Sequence, residues 1–353
     1  MFNRWRLFAV CASLLVVAEA EAGGVPPQEG PPQVEISNGE IRARVYLPAA
    51  HTGFYQGTRF DWSGVVSSLE YKGHNYYGQW YSRSDPGVHD FEFQGSEIVA
   101  STPCSIIGPV EEFHTNHSAL GFDEAKVGGT FIKIGVGVLR KDGEKYDAFH
   151  PYELVDGGKW TVSTHPDSVE FTQQLADPAT GCAYVYRKTV RLISGKPEMV
   201  LEHHFGNTGR QPVRGTVYNH NFLVLDRQTT GPDFSITLPY AITSPQPSTK
   251  DLYEIRGNRL VFLRELVNRD VVFTPLAGFG DSENDNEVRI ENSRVGAGMV
   301  MRSNRPLSAM FLWSIRSLLS VEPFIKMEIA PGSEFDWNVS YEYYTLPAKG
   351  KPR

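Results

Sequence analysis

The stretch from Tyr184 to Leu225, YVYRKTVRLISGKPEMVLEHHFGNTGRQPVRGTVYNHNFLVL, decides the fold class. Tyr184 to Leu192 alternates apolar with charged or polar side chains, the period of a strand with one buried face. Ser194-Gly195-Lys196-Pro197 then turns the chain into Met199 to Phe205. Gly206-Asn207-Thr208-Gly209 turns it again into Val213 to Leu225. Short runs rich in β-branched and aromatic residues, closed by Gly, Pro and Asn, read as consecutive antiparallel strands.

The pattern continues outward in both directions. Ile41 to Leu47 alternates apolar and charged residues. Thr130 to Leu139 is β-rich and is followed by a Lys-Asp-Gly turn at 141–143, and Phe335 to Tyr344 is a closing aromatic strand. No amphipathic helix of three turns and no short repeat interrupts the series. Many strands with regular turns predict a sandwich or barrel of antiparallel sheets. For a chain of 353 residues a single large all-β domain over 34–346, a two-sheet β-sandwich with few or no helices, fits best. Residues 23–33 read as a flexible Gly/Pro-rich tail and 347–353 as a short basic one.

The N-terminus carries an export signature. Arg4 and Arg6 precede the apolar run Leu7 to Ala18, and Ala18-Glu19-Ala20 and Ala20-Glu21-Ala22 offer cleavage sites. The run is too short to span a bilayer, and no later segment is long and apolar enough. Residues 1–22 are therefore expected to be a signal peptide, with the mature protein periplasmic or secreted and free of a membrane span. That segment holds two Arg and two Glu, so the mature chain keeps the net charge of −7. An acidic chain argues against nucleic acid as partner and says nothing against a neutral sugar. The mature cysteines are Cys104 and Cys182, which in an oxidising compartment form either one disulfide or two separate buried thiols.

Two segments carry candidate chemistry. Thr216-Val217-Tyr218-Asn219-His220-Asn221-Phe222-Leu223 places Asn-His-Asn inside an apolar strand, where Asn is disfavoured. Strand alternation puts Tyr218, His220 and Phe222 on one face and Asn219 and Asn221 on the other. One face then presents an imidazole framed by two aromatic rings, either a sugar-binding surface with a titratable group or a hydrogen-bonded core histidine. Glu322 sits in the apolar run Leu318 to Phe324, just before Pro323. A carboxylate there either reaches solvent or is desolvated, and beside a histidine in a cleft it becomes a candidate base. His203 and His204 are adjacent in a strand and point to opposite faces, so at most one reaches a cleft. The aromatic cluster Tyr71, Tyr76, Tyr77, Trp80 and Tyr81 reads as packing before stacking platform. His114-x-x-His117 lacks a third ligand at useful spacing, and the acidic run Asp281 to Glu287 reads as a solvated loop, so no metal is expected.

Together these segments resemble the galactose mutarotase (aldose 1-epimerase) family. Asn219-His220-Asn221-Phe222 is similar to the family's catalytic-histidine strand motif, Asn-His-x-Tyr/Phe. Glu322, followed by Pro331-Gly332-Ser333-Glu334 and the strand Trp337 to Tyr344, resembles its C-terminal glutamate, turn and closing strand. Leu120-Gly121-Phe122-Asp123 is similar to its Gly-Phe-Asp segment, upstream of which His114 or His117 takes the place of a second active-site histidine. The Leu-His-Gly-Gly and Gly-Arg-x-x-Asn-Arg motifs of the family are absent, and Arg59, in Gly57-Thr58-Arg59-Phe60-Asp61-Trp62, is the early arginine, placed on a strand.

The resemblance implies a mutarotase-like supersandwich and interconversion of the α and β anomers of a hexose by ring opening, with no cofactor. Glu322 would take the anomeric proton while His220 protonates the ring oxygen. His114, His117, Arg59, Tyr218 and Phe222 would bind the sugar. Two other classes stay open: an exported carbohydrate-binding protein without turnover, and a domain associated with a polysaccharide lyase or glycoside hydrolase. A lyase wants a Tyr or Lys base and an arginine; a hydrolase wants two acids flanking the bond.

Overall fold

Strands dominate because alternating residues give each segment one face to bury and one to leave outside. A computed structural model describes residues 30–115, 117–244 and 251–347. Within them are twenty-five strands, three single-turn 3-10 helices and no α-helix. The described chain from Pro31 onward forms one compact unit. The leader segment 1–22, most of the 23–33 tail and all but the first residue of the 347–353 tail lie outside the described residues. Strand structure begins at Gln33, inside the stretch expected as tail, where Leu47 donates to the Pro32 carbonyl.

Two large antiparallel sheets form the body. The ten-stranded sheet contains Cys182–Leu192, Glu198–Asn207 and Glu334–Thr345 as neighbours. The five-stranded sheet runs, in order, Val272–Pro275, Ala309–Ile315, Leu318–Ile329, Val213–Phe222 and Gly108–His114. Between the two sheets lies one hydrophobic core, with Phe113, Val217, Val321 and Ile325 from the smaller sheet and Phe205, Met299, Trp337 and Tyr341 from the larger. A second cluster, containing Phe60, Trp62, Trp80, Val110 and Phe222, packs on the other side. Burying large rings in both places supplies most of the drive to fold, at about 25 cal/mol per Å² of apolar surface.

The hairpin sequence read from 184–225 is present, with the first two strands extended by a residue or two and the third ending at Phe222, three residues before Leu225. Two stretches differ. Thr130 to Leu139 is not one strand but a hairpin of Thr130–Lys133 and Gly137–Arg140. Gly135 turns it at φ +79°, and a side chain there would collide with the buried Asp61 carboxylate. The apolar run Leu318 to Phe324 is instead part of a longer continuous strand, Leu318–Ile329, with Pro323 inside it.

That proline opens the sheet locally. The strands of His220 and Glu322 pair from Val213↔Ile329 to Tyr218↔Phe324, and meet again only at an isolated bridge between Leu223 and Leu319. Pro323 has no N–H to donate across the gap. Asn221 fills it by side chain, donating through Nδ2 to the Val321 carbonyl at 2.7 Å and to the Asn219 carbonyl at 3.0 Å. His220 and Glu322 stand at this opening.

Candidate active site

A cavity of about 440 Å³ lies on the face of the five-stranded sheet turned away from the core between the sheets. Tyr218, His220 and Phe222 reach it because they share one strand face, and Glu322 and Phe324 reach it from the neighbouring strand. Asn219 and Asn221 point the other way. Asn219 donates to the Glu111 carboxylate at 2.7 Å, and Asn221 accepts from the Tyr341 hydroxyl at 2.9 Å.

His220 and Glu322 meet. Nε2 of His220 is 3.1 Å from Oε1 of Glu322, and both side chains are more than 90% buried. The contact lies off the hydrogen-bonding direction, so Glu322 Oε1 has no hydrogen-bond partner. On the other edge of the ring, Nδ1 lies 3.0 Å from the Ser320 hydroxyl. Phe222 stacks on the imidazole at 3.8 Å, Trp80 stacks on Phe222 at 5.7 Å, and Trp313 and Phe60 pack edge-on against the imidazole.

This dry packing sets the charges. Burial, helped by the Arg59 charge, pushes His220 well below the usual imidazole range. Burial pushes the Glu322 carboxyl up from 4.5 to about 8, against the pull of Arg59. At neutral pH the pair therefore rests as a free imidazole beside a protonated carboxyl.

Arg59 lies at the cavity wall, on a loop rather than the strand expected for it. It donates through Nε to Glu112 at 2.8 Å, through one terminal nitrogen to the Tyr218 hydroxyl at 3.2 Å and through the other to the Cys104 sulfur at 3.3 Å. Phe60 and Phe149 sandwich its guanidinium at 4.5 and 4.7 Å. Burial works against that charge, and Glu112 overrides it, holding Arg59 well above its ordinary value. Glu112 is sealed beneath the cavity, accepting also from Tyr218 at 2.6 Å and Lys133 at 3.2 Å. Burial alone would raise it, but Arg59, His114 and Lys133 hold it well below the usual carboxylate range. Tyr218 therefore donates its hydroxyl hydrogen bond to Glu112, and burial raises its pKa well above the phenol range.

His114 lines the cavity, its Nε2 3.0 Å from Glu112. Gly215 stands opposite on the next strand, where a side chain would strike the His114 carbonyl. His117 is not in this cavity. Its backbone turns at φ +64°, and its exposed side chain lines an adjoining trough of about 660 Å³. His203 is buried against Glu111, 2.9 Å away, and His204 pairs with Asp336; neither lines the cavity. The possible Cys104–Cys182 disulfide is not made: both are free and buried, in different hydrophobic clusters. The Cys104 thiol instead donates to Asp90 at 3.2 Å.

Several lining residues have no counterpart in the sequence expectations. Asp90, Phe149 and Trp313 come from loops and a strand with no local signal. Glu111 and Glu112, buried behind the lining, did carry one. Two carboxylates in the apolar run Val110 to Phe113 pose the same desolvation problem that singles out Glu322. Of the aromatic cluster at 71–81, Tyr76 and Tyr77 are core, and Trp80 is at once packed and at the cavity. Among the described residues no group of three His, Cys, Asp or Glu is placed to hold a metal ion. No helix there is long and apolar enough to cross a membrane.

No family model matches the sequence, and no curated protein is similar to it. Solved structures are similar along most of their length. A candidate aldose 1-epimerase from Escherichia coli K12 aligns over 89% of this chain and 99% of its own at 12% identity, with a TM-score of 0.54. A galactose mutarotase-like protein from Clostridium acetobutylicum aligns over 89% and 95% at 10% identity, also with 0.54. A galactose mutarotase related enzyme from Lactobacillus acidophilus aligns over 91% and 100% at 14% identity, with 0.50. The fold is the galactose mutarotase-like β-sandwich.

Proposed function

We propose that this protein is an aldose 1-epimerase, interconverting the α and β anomers of a sugar by acid–base ring opening. The carrying observation is the pair of buried groups, His220 and Glu322, 3.1 Å apart at one cavity. Mutarotation removes a proton from the anomeric hydroxyl and delivers one to the ring oxygen. A neutral imidazole and a protonated carboxyl meet that need together.

The resting protonation reverses the roles expected from sequence. Nε2 of His220 takes the proton of the anomeric hydroxyl, and Glu322 gives its proton to the ring oxygen. The bond from anomeric carbon to ring oxygen breaks as the aldehyde forms. After rotation about the neighbouring carbon–carbon bond, the ring oxygen attacks the other face. Its proton returns to Glu322, and His220 returns its proton to the new anomeric hydroxyl. His114 and Asp90 would hold sugar oxygens at the cavity wall, with Arg59, its nitrogens committed, bracing Tyr218 and Glu112 beside them. The leader-like segment 1–22 adds the proposal that this happens outside the cytoplasm.

A second reading draws on Asp90, which puts two carboxyl groups at one cavity, as glycoside hydrolysis requires. Burial raises both Asp90 and Glu322, and Asp90 already accepts from the Cys104 thiol at 3.2 Å, so one of its oxygens is committed. Tyr218, committed to Glu112, is poorly placed as a lyase base.

Polarimetry on freshly dissolved α-glucose and α-galactose tests the proposal. Wild type is expected to speed equilibration and His220→Ala to slow it by about two to four powers of ten, the usual worth of acid–base help. Binding without faster equilibration would make the protein a sugar binder, and release of reducing sugar from a glycoside would make it a hydrolase.

A further inference from the structure

The cavity is better furnished for apolar groups than for hydroxyls. Its polar floor is small and largely committed. Each nitrogen of Arg59 already donates to a neighbour, Tyr218 donates its hydrogen bond to Glu112, and Cys104 donates its own to Asp90. In the reading above, His220 and Glu322 serve the anomeric and ring oxygens. Asp90 and His114 then remain for every other hydroxyl, and a hydroxyl that leaves water without a partner weakens binding.

Aromatic rings cover the rest. Tyr218 stacks on Phe324 at 4.1 Å, Phe311 packs edge-on to Phe324 at 5.7 Å, and Phe273 stacks on Phe311 at 5.5 Å and 3°. This chain of rings climbs from the buried floor to solvent, where Phe273 remains 54% exposed. Beside it on the same sheet face, Trp313 is the cross-strand partner of Phe273 and packs on Phe91 at 5.4 Å. An isolated exposed phenylalanine needs no explanation, but one that ends a continuous aromatic wall of a cavity leaves apolar surface waiting for a ligand.

We infer that the sugar taken here carries an apolar substituent, such as an alkyl ether or a short acyl chain, seated on the aromatic wall of Phe273, Phe311, Trp313 and Phe91. This rests on the sugar-binding side of the proposed function and adds the substrate class. The substituent leaves the anomeric hydroxyl free, so it sits on another carbon.

The test is calorimetric titration of the wild-type protein with methyl, ethyl and butyl ethers at O3, O4 and O6 of D-glucose and D-galactose, beside the parent sugars and lactose. At one position or more, affinity is expected to rise roughly fourfold per added methylene, with an increasingly negative heat-capacity change. In Phe273→Ala the gain should shrink, and in Phe273→Ala/Phe311→Ala it should vanish, while the parent sugar keeps its affinity. Phe273 is exposed, so its replacement leaves the fold intact, checked by circular dichroism. Affinity that is flat or falling at every position overturns the inference, as does a gain that survives the double substitution. Lactose binding as tightly as the best ether also overturns it, because the wall would then be a second sugar subsite. Titration reads binding alone: an ether that binds as expected but equilibrates no faster refutes the epimerase and leaves this inference standing.

Discussion

Replacing Glu322 by Gln should make the protein more stable and nearly inactive, with the stability gain depending on pH. Burial raises the Glu322 carboxyl from 4.5 to about 8. The sign follows from linkage: a carboxyl raised on folding is comfortable below its unfolded value, and stability drains away as pH rises through the folded value. At 1.36 kcal/mol per pH unit the deficit grows between about pH 4.5 and 8 and levels at up to about 5 kcal/mol above that window. Gln keeps the shape and is neutral throughout, so Glu322→Gln escapes the deficit. At about 2 °C per kcal/mol for a large domain, its Tm should match wild type near pH 4 and exceed it by up to roughly 10 °C at pH 9. Differential scanning calorimetry over pH 4 to 9 reads the difference, and polarimetry reads the loss of turnover, about two to four powers of ten. A Tm difference that stays constant between pH 4.5 and 8.5 would refute the desolvated carboxyl. Retained turnover in Glu322→Gln would remove the residue from the mechanism.

Three further outcomes follow from the same geometry. The pH profile of kcat/KM should be flat near neutrality and fall about tenfold per unit above about pH 8, where Glu322 loses its proton; on the acid side it should hold below 6.5, because His220 is depressed, and activity rising through pH 8 would reverse the assigned roles. Glu112→Gln strands the buried charges of Arg59 and Lys133, and urea unfolding should show a loss of about 3 to 5 kcal/mol; a loss under about 1 would mean that the cluster beneath the cavity is not charged. A chain beginning at Gly23 should show no thiol reactive toward Ellman's reagent when native and two when denatured without reductant; two thiols absent on denaturation would mean that Cys104 and Cys182 are bonded.

What the sequence made legible was whatever is written locally. Alternation and Gly/Pro turns gave the strands, because a two-residue period needs no knowledge of what lies across the sheet. The same period separated Tyr218, His220 and Phe222 from the two asparagines. Asp90, Phe149 and Trp313 stayed hidden because loop position and long-range assembly bring them to the cavity, and nothing within a few residues of each announces it. His117 lies outside the cavity for a different reason. Three residues beyond His114, it is itself part of a sharp turn, with its own φ at +64°, so spacing along the chain no longer measures direction in space.

The Asn-His-Asn motif shows how one oddity of sequence divides between chemistry and support. Three polar residues in a buried strand would each be costly if left unpaired. Only His220 faces the cavity. Asn219 spends its amide on Glu111, whose carboxylate also accepts from Lys188 and lies beside His203 deep between the sheets. Asn221 satisfies the Val321 carbonyl in the ladder gap beside Pro323, and is itself held by Tyr341. The proline that opens the gap and the asparagine that closes it by side chain therefore belong together. A backbone ladder continued past Tyr218 would draw the strands of His220 and Glu322 into regular pairing. With the gap supported from behind, the imidazole and the carboxyl stand 3.1 Å apart without a hydrogen bond between them. An aligned bond would spend the pair on itself, whereas the misaligned contact leaves Glu322 Oε1 free for a ring oxygen and the imidazole free for an anomeric hydroxyl.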